Sequence, residues 1–212
     1  MYFKKGMRLK MKILRKINKG LILTILVLLA LTIYLVNIER QRKADKEDIK
    51  KACEEFISFT DKYSVLPEDM QKLTEPVLES KVEEYKKEMK TELEKLMITN
   101  EEAVKLQYQN LEFCLDDGYN NLEGIRCKLE RKITKISNYE FEGNQVTVTF
   151  KAKVKTITKN LNEENEEKES QNSFDTDRDE ILLQKVDGKW KIVYSNLQYD
   201  NGYYYKDEMV VY

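Results

Sequence analysis

Aspartates form the two groups of residues in this sequence that could bind a metal ion. One group has the alternating pattern D-x-D-x-D and the other is an adjacent pair: Asp175, Asp177 and Asp179, and Asp116 and Asp117. Alternating aspartates open a calcium-binding loop, but such a loop also needs a central glycine and a glutamate at its twelfth position. The twelfth position counted from Asp175 is Val186, and the glycine is missing. We therefore expect solvated turn residues and predict no metal site.

Histidine is absent from all 212 residues, which excludes Ser-His and Cys-His catalysis and most zinc sites. The chain also has no glycine-rich phosphate loop, no G-x-S-x-G motif and no Ser-Lys signature. Its three cysteines, Cys53, Cys114 and Cys127, lack C-x-x-C spacing, so no redox motif is indicated. Buried packing is their expected role, with a disulfide between Cys114 and Cys127 as the alternative. We predict no enzyme activity, no catalytic residue and no cofactor.

Tyrosines are concentrated near the end of the sequence, where six of the thirteen lie between residues 194 and 212. Tyrosine offers a large, rigid surface with a polar tip and is enriched at protein contacts. An edge strand with half-exposed tyrosines would produce the same pattern, and a site that stacks the sugars of cell-wall glycan is a third interpretation. The candidate contact residues for a partner or ligand are Trp190, Tyr194, Tyr199, Tyr203, Tyr204 and Tyr205.

One apolar segment has the length and composition of a membrane-spanning helix. Residues 20–38 read GLILTILVLLALTIYLVNI, with no charged side chain. A helix of this length spans roughly 28 Å, close to the ~30 Å thickness of the hydrocarbon core of a bilayer. A buried helix of a soluble domain usually keeps a polar face, which this segment lacks. We therefore predict a single transmembrane helix.

The flanks of this segment predict its orientation in a bacterial cytoplasmic membrane. Residues 1–20 carry eight basic and no acidic side chains, whereas residues 39–51 carry six basic and four acidic ones. Because positive charge stays on the cytoplasmic side, we expect a basic cytoplasmic tail over residues 1–19 and an extracytoplasmic domain over residues 39–212. No A-x-A pattern follows the apolar run, which favours an uncleaved signal anchor over a cleaved signal peptide.

Lysine dominates the basic residues, with 30 of the 37 and only 7 arginines. Recognition of phosphate and guanine relies on bidentate contacts from arginine. This composition therefore disfavours nucleic acid as a partner. The expected partners are membrane lipid and envelope proteins or a second copy of the chain.

Helical periodicity predicts three helices between the membrane segment and about residue 122. Apolar residues recur at helical spacings over residues 43–63, 76–97 and from about 100 onward. Pro76 suits a first helical turn, where its missing N–H is not needed. Thr99 followed by Glu102 is a capping-box pattern for the start of the third helix. We expect the apolar stripes to be core.

From about residue 126 the apolar period changes to two, which is typical of strands with one buried and one solvated face. The clearest alternation has its apolar positions at Val146, Val148, Phe150, Ala152 and Val154. Another strand is predicted from Cys127 to Phe141, and a turn at Gly143 joins the two strands. The acidic residues 162–170 are predicted to form the solvated tip of a long hairpin.

A second hairpin is predicted around Asp187 and Gly188, a two-residue turn signal. Trp190, Ile192 and Tyr194 are expected to share one face of its second strand. A final strand is expected after the Asn201-Gly202 turn. Helices followed by antiparallel strands predict the α+β class, with about three helices packed on a curved antiparallel sheet of four to six strands.

The order of these elements resembles the nuclear-transport-factor-2-like (cystatin-like cone) family over roughly residues 44–200. The resemblance is carried by the helix stripes, the strand at residues 146–154, and the hairpin LLQKVDGKWKI at residues 182–192. It implies three helices packed on a strongly curved sheet. It implies no single activity, because this fold serves enzymes, ligand binders and scaffolds.

A basic tail, one span and an external cone domain together resemble the inner-membrane scaffold subunits of type IV secretion and conjugation machines. That resemblance implies protein contacts without chemistry. We therefore expect a membrane-anchored, non-enzymatic scaffold of the cell envelope. The alternative is a tethered ligand-binding or sensory cone for a small apolar or glycan ligand. A deep cavity lined by apolar and tyrosine side chains would favour the ligand, and a cone filled by Phe and Leu would favour the scaffold.

Overall fold

The computed structural model describes residues 19–73, 77–120, 124–162 and 166–198, with the side chains of residues 19 and 117–120 excepted. The chain divides into two units between Glu47 and Asp48. Helix α1 (Lys19–Tyr63) contributes residues to both units.

Helix α1 is continuous for 45 residues. The sequence predicts a membrane helix followed by a separate helix from residue 43, but the structure has no break between them. The reason is local, because residues 39–48 contain no Gly or Pro and are mostly good helix formers such as Glu, Arg, Lys and Ala.

The part of α1 in the first unit contains a candidate membrane span. Its most apolar 18-residue window has a mean hydropathy of 2.7, and none of that window is buried. Leucines on opposite sides of the helix are similarly accessible, with Leu26 57% and Leu35 62% exposed. An apolar surface all round a helix of this length is typical of a segment that lies in lipid.

The second unit begins with the last four turns of α1 and adds two further helices. A short 3₁₀ turn (Glu68–Met70) follows α1, and then come α2 (Glu79–Leu96) and α3 (Glu101–Asn120). The Oδ1 atom of Asn100 accepts hydrogen bonds from the N–H groups of Glu102 and Ala103 at 3.0 and 3.2 Å. The cap of α3 is therefore Asn100, one residue after the expected Thr99.

Within the described residues, the sheet has five antiparallel strands: β1 (Ile125–Glu142), β2 (Gln145–Leu161), β3 (Glu167–Asp175), β4 (Asp179–Val186) and β5 (Lys189–Asn196). The hydrogen-bonded order is β1-β2-β4-β5. The long β2 pairs with β4 along its first half and with β3 along its second half. Three register shifts between β1 and β2 bend this pair, as expected for bulges. The α+β class and the curved antiparallel sheet are confirmed.

The predicted two-residue turn between β4 and β5 is confirmed by its backbone. Asp187 and Gly188 both have positive φ, at 50° and 78°, which the twist of a tight hairpin requires. Gly124, at the start of β1, also has a positive φ of 129°. A Cβ there would lie 2.2 Å from the carbonyl oxygen of Lys159, so β1 can begin beside β2 only with glycine at this position.

Large apolar side chains fill the space between the helices and the sheet. The alternating residues of β2, from Val146 to Val154, are all fully buried, as their periodicity predicts. The rings of Phe59, Tyr63 and Tyr85 pack in series, with centroids 4.9 and 5.0 Å apart. Further fully buried side chains are Phe56, Leu66, Met89, Leu93, Leu111, Phe150 and Ile181.

Candidate functional site

A groove of about 920 Å³ lies in the second unit, between α1, the segment after it and β1. We call it the edge groove. Six consecutive residues of β1, from Lys128 to Ile133, line it. Neighbouring side chains of a strand point to opposite faces, so consecutive lining residues mean that the groove follows the edge of β1 rather than one face.

Side chains from α1 and the following segment bind the backbone of this edge. Asp61 Oδ2 accepts the backbone N–H of Arg131 at 2.5 Å. Gln71 Nε2 donates to the carbonyl oxygens of Cys127 at 2.9 Å and of Leu66 at 2.5 Å. Asp61 and Gln71 therefore occupy backbone groups of β1 that no strand in the described part of the chain pairs with.

Behind Asp61, the Arg131 guanidinium lies wholly buried between two carboxylates. Its Nη1 atom lies 3.8 Å from Asp61 Oδ1, and its Nε atom lies 3.6 Å from Asp179 Oδ2. Its Nη2 atom donates to the carbonyl oxygen of Gln198 at 2.6 Å, and the N–H of Gln198 donates to Asp179 Oδ1 at 2.9 Å. This network joins α1, β1, β4 and the chain that leaves β5.

Burial shapes the electrostatics of this network. Burial raises the pKa of Asp61 from 3.8 to about 6, against the opposing effect of the Arg131 charge and its backbone hydrogen bond. Burial also raises the pKa of Asp179, again against Arg131. Two carboxylates share one guanidinium, so the network has one negative charge in excess when both are ionised.

The buried carboxyl group of Asp61 can bind a proton and form an ion pair at this site. Four carboxyl groups line the groove, those of Glu54, Asp61, Glu68 and Glu130. The side chain of Asp61 is only 12% exposed. Ser58 and Cys127 also line the groove, and no hydrogen bond joins either of them to Asp61. Asp61 thus has no nucleophile to activate within the described residues.

A second candidate surface is the outer face of the sheet. We call it the lysine face, and it consists of Lys128, Lys132, Lys135, Lys151, Lys153 and Lys155, which are all exposed. Lys132 lies directly opposite Lys153, and Lys135 directly opposite Lys151. Like charges in directly opposed positions destabilise a sheet. Three carboxylates contact or oppose these lysines, which leaves the face positive: Glu130, Asp175 and Asp177.

Two of the aromatic candidate residues, Trp190 and Tyr194, lie within the described residues, and they are on different faces of β5. Trp190 packs partly buried against the core, with Lys185 Nζ 5.5 Å from its ring centroid. Tyr194 lies opposite Leu182, whereas Ile192 lies opposite the buried Leu183, with a register shift between the two pairs. The expectation that Trp190, Ile192 and Tyr194 share one face is therefore wrong, because the shift turns Tyr194 to the other face. Tyr199, Tyr203, Tyr204 and Tyr205 lie outside the described residues.

The aspartates of the D-x-D-x-D pattern diverge in space. Asp177 is exposed and lies 3.9 Å from Lys151, while Asp179 is buried beside Arg131. Asp116 faces Lys86 at 3.1 Å. No group of three or more acidic or cysteine side chains that could hold a metal is found in the part of the chain that the structure describes. No disulfide links the three cysteines, and burial raises the pKa of Cys53 to about 12.

Sequence reasoning missed the Asp61 and Arg131 pair, whose members are 70 residues apart. The sequence does carry one signal of it. Arg131 stands between Leu129 and Ile133 in the alternating pattern of β1, at a position where an apolar side chain is expected. A charged residue on the buried face of a strand needs a partner, although the pattern does not say which.

Comparisons with known proteins give one similarity. No protein-family model and no curated protein match the chain. Among solved structures, the chain is similar to the association domain of CaMKII from C. elegans, with 15% sequence identity and a TM-score of 0.31. The similarity covers 71% of this chain and 92% of that domain. The α+β architecture is established here by the order and pairing of the chain's own helices and strands.

Proposed function

We propose that this protein is a membrane-anchored interaction module that binds other proteins and catalyses no reaction. Residues 20–38 hold it in the cytoplasmic membrane, with residues 1–19 inside and the α+β domain outside. The apolar, fully exposed window of α1 supports the anchor. The excess of basic residues before that window supports the orientation.

The lysine face is the observation that carries the proposal. Lys151 and Lys153 belong to β2, which has a paired strand on each side, so they do not serve to protect a sheet edge. Their alignment with Lys135 and Lys132 weakens the sheet. A surface that keeps opposed lysines despite this cost fits a binding partner with a negatively charged surface. Charge complementarity between two protein surfaces speeds their association and makes it more specific.

The filled interior favours this proposal over a ligand-binding or sensory cone. Phe56, Phe150 and Leu93 are fully buried where a small apolar or glycan ligand would have to enter between helices and sheet. The edge groove is open and lined by many charged side chains, whereas ligand pockets are mostly apolar and enclosed.

The test is photo-crosslinking of the full chain in intact cells. A photoreactive residue replaces Ser173, which is exposed and lies opposite Lys155 on the lysine face. We expect a discrete crosslinked species that is lost in the double variant K132E/K135E. Mass spectrometry of the species then distinguishes a second copy from another envelope protein, and subunits of a conjugation or secretion machine would place the protein in such an assembly.

A matched control separates partner binding from net charge and from misfolding. The double variant K87E/K90E makes the same change in charge on exposed positions of α2 and should retain the crosslinked species. K132E/K135E converts two like-charge pairs into opposite-charge pairs, so we expect it to be more stable than the parent by several tenths of a kcal/mol. A species that survives K132E/K135E, or that both variants lose equally, would contradict the proposal.

Orientation is tested separately. The two exposed serines Ser58 and Ser170 lie in the second unit, and each can be replaced by cysteine in a chain whose native cysteines are alanine. A membrane-impermeant maleimide should label both positions in intact cells. Labelling that requires lysis would place the domain in the cytoplasm and overturn the orientation.

A further inference from the structure

The outer face of the sheet carries charges of both signs at opposite ends. Lys153 and Lys155 of β2 are exposed at one end, and Glu167 and Glu169 of β3 are exposed at the other. Glu169 lies directly opposite Lys159, and alternate or directly opposed residues of a sheet share one face. Six residues of strand separate Lys153 from Lys159, which is about 20 Å. The face therefore has a lysine end and, about 20 Å away, an acidic end.

The acidic end keeps a carboxylate that is free to bind a partner. Lys159 Nζ lies 3.6 Å from Glu169 and neutralises one of the two charges. Glu167 lies directly opposite Leu161 and makes no ion pair in the described part of the chain. Leu161 itself is 38% exposed, so an apolar side chain is accessible next to this carboxylate.

Strand β3 adds little to the core of the domain. The side chains from Glu167 to Ser173 are all exposed, on both faces of the strand. They read EKESQNS, without the β-branched and aromatic side chains that favour strands. Among the described strands, β3 pairs with β2 alone. A strand of this composition that buries almost nothing is better explained by a contact surface than by a role in packing.

The two charged ends make the outer face complementary to itself. Midway between them, the half-buried Ile157 lies directly opposite the exposed Gln171. A two-fold axis at this level of the strands would place the acidic end of one copy on the lysine end of another. Interfaces with two-fold symmetry use the same patch on both subunits, so they require a patch that is complementary to itself.

We propose that the negatively charged partner of the lysine face is a second copy of this chain. The two copies dock with their outer sheet faces together, so that Glu167 and Glu169 of each copy meet Lys153 and Lys155 of the other. Around the axis, Gln171 of one copy lies beside Gln171 of the other. This inference rests on the proposed function, because it names the partner that the lysine face binds.

Disulfide crosslinking of the full chain in detergent micelles tests the proposal. A chain whose native cysteines are alanine carries the substitution Q171C, and mild oxidation should link two copies at this position. E167K/E169K places lysine against lysine in both symmetric contacts, and K153E/K155E places glutamate against glutamate. We expect each double variant to lower the linked fraction at least about tenfold, because opposed like charges at an interface are strongly unfavourable.

Reversal of both ends at once should restore the link. A chain that combines E167K/E169K with K153E/K155E again joins opposite charges in every contact, so its linked fraction should return to that of the parent. An equimolar mixture of the two double variants should give a linked heterodimer for the same reason. A role of these residues in folding alone would not produce either recovery.

The matched controls are K87E/K90E and E84K/E94K, which make the same changes in charge at exposed positions of α2. Both should leave the linked fraction unchanged. A parent that does not form the link would overturn the inference. So would a combined variant that fails to recover it, or controls that lose it equally.

The photo-crosslink from position 173 separates failure of this inference from failure of the proposed function. A crosslinked species that is lost in K132E/K135E but unaffected by E167K/E169K would identify a different protein as the partner. That result would overturn the second copy and leave the interaction module intact. A species that survives K132E/K135E would instead contradict the proposed function itself.

Discussion

Arg131 is the residue that allows two carboxylates to be buried in this domain. Its guanidinium is closed to solvent, and the side chain of Asp179 is closed as well. Buried charges are tolerated only when they are paired and hydrogen-bonded. Removing one member of such a group leaves the others without compensation, which destabilises more than the intact group stabilises.

Replacing Arg131 should therefore be severe. We expect R131M to lower the free energy of unfolding by roughly 3–5 kcal/mol, because both carboxylates lose their counter-ion. Urea unfolding followed by the fluorescence of Trp190, the single tryptophan, measures the change. K132M, one residue away on the solvent face, should stay within about 0.5 kcal/mol of the parent. Equal effects of the two substitutions would show that the buried network contributes little.

Asp61 should make the stability depend on pH. Because burial raises its pKa from 3.8 to about 6, the folded domain binds this proton more tightly than the unfolded chain does. The stability that the proton contributes is fully present below pH 3.8 and is lost as the pH rises through about 6.

D61N removes this dependence. Relative to the parent, the free energy of unfolding of D61N should rise by roughly 3 kcal/mol between about pH 3.5 and pH 7. Urea unfolding at several pH values measures the difference. A difference that stays constant across this range would mean that Asp61 titrates alike in the folded and unfolded chain.

At the scale of elements, the ends of helices and strands depend on single side chains. α3 begins where Asn100 accepts two backbone N–H groups, and β1 begins where Gly124 lets the backbone approach Lys159. Both ends lie in short connections, so few other residues are near enough to replace Asn100 or Gly124 in these roles. Asn100 and Gly124 therefore fix the residues at which α3 and β1 begin.

The cap of α3 can be tested by two neighbouring substitutions. We expect N100A to destabilise the domain by about 1 kcal/mol, because the N–H groups of Glu102 and Ala103 lose their acceptor. T99A should change stability by less than about 0.5 kcal/mol, since Thr99 is exposed and makes no capping bond. Thermal unfolding of both variants measures these changes in stability. A larger loss of stability in T99A than in N100A would show that Thr99 is the cap.

At the scale of the whole molecule, the chain combines two units of different surface chemistry. The apolar window of α1 is wholly accessible, whereas the apolar side chains of the second unit are packed into one core. Accessible apolar surface of that extent is stable in lipid and not in water. The first unit therefore contains a candidate membrane span, and the second unit contains a packed core.

Removal of the apolar segment tests this division. We expect a chain that starts at residue 39 to be recovered in the soluble fraction after cell lysis and ultracentrifugation, with its domain folded. The parent should sediment with membranes and enter solution only with detergent. A shortened chain that still sediments with membranes, and is released by high salt, would show that the domain itself binds the lipid surface.

The sequence by itself determined the elements whose signal is local. Three such elements are the apolar run of residues 20–38, the alternation of β2, and the turn at Asp187 and Gly188. Each depends only on residues close in the sequence, through their polarity or their backbone preferences, so periodicity and turn chemistry suffice to predict them. The same holds for the α+β class, which follows from the order of these elements.

Only the tertiary structure decided features that join distant residues or depend on register. Asp61, Arg131 and Asp179 meet because the Arg131 side chain on β1 contacts Asp61 of α1 and also Asp179 of β4, although β2 lies between β1 and β4. No local pattern encodes which charges will pair. Tyr194 changes face because a single register shift in β5 reverses every later side chain. The edge groove likewise exists only because β1 ends up at the edge of the sheet, a consequence of strand order that the pattern within each strand does not contain.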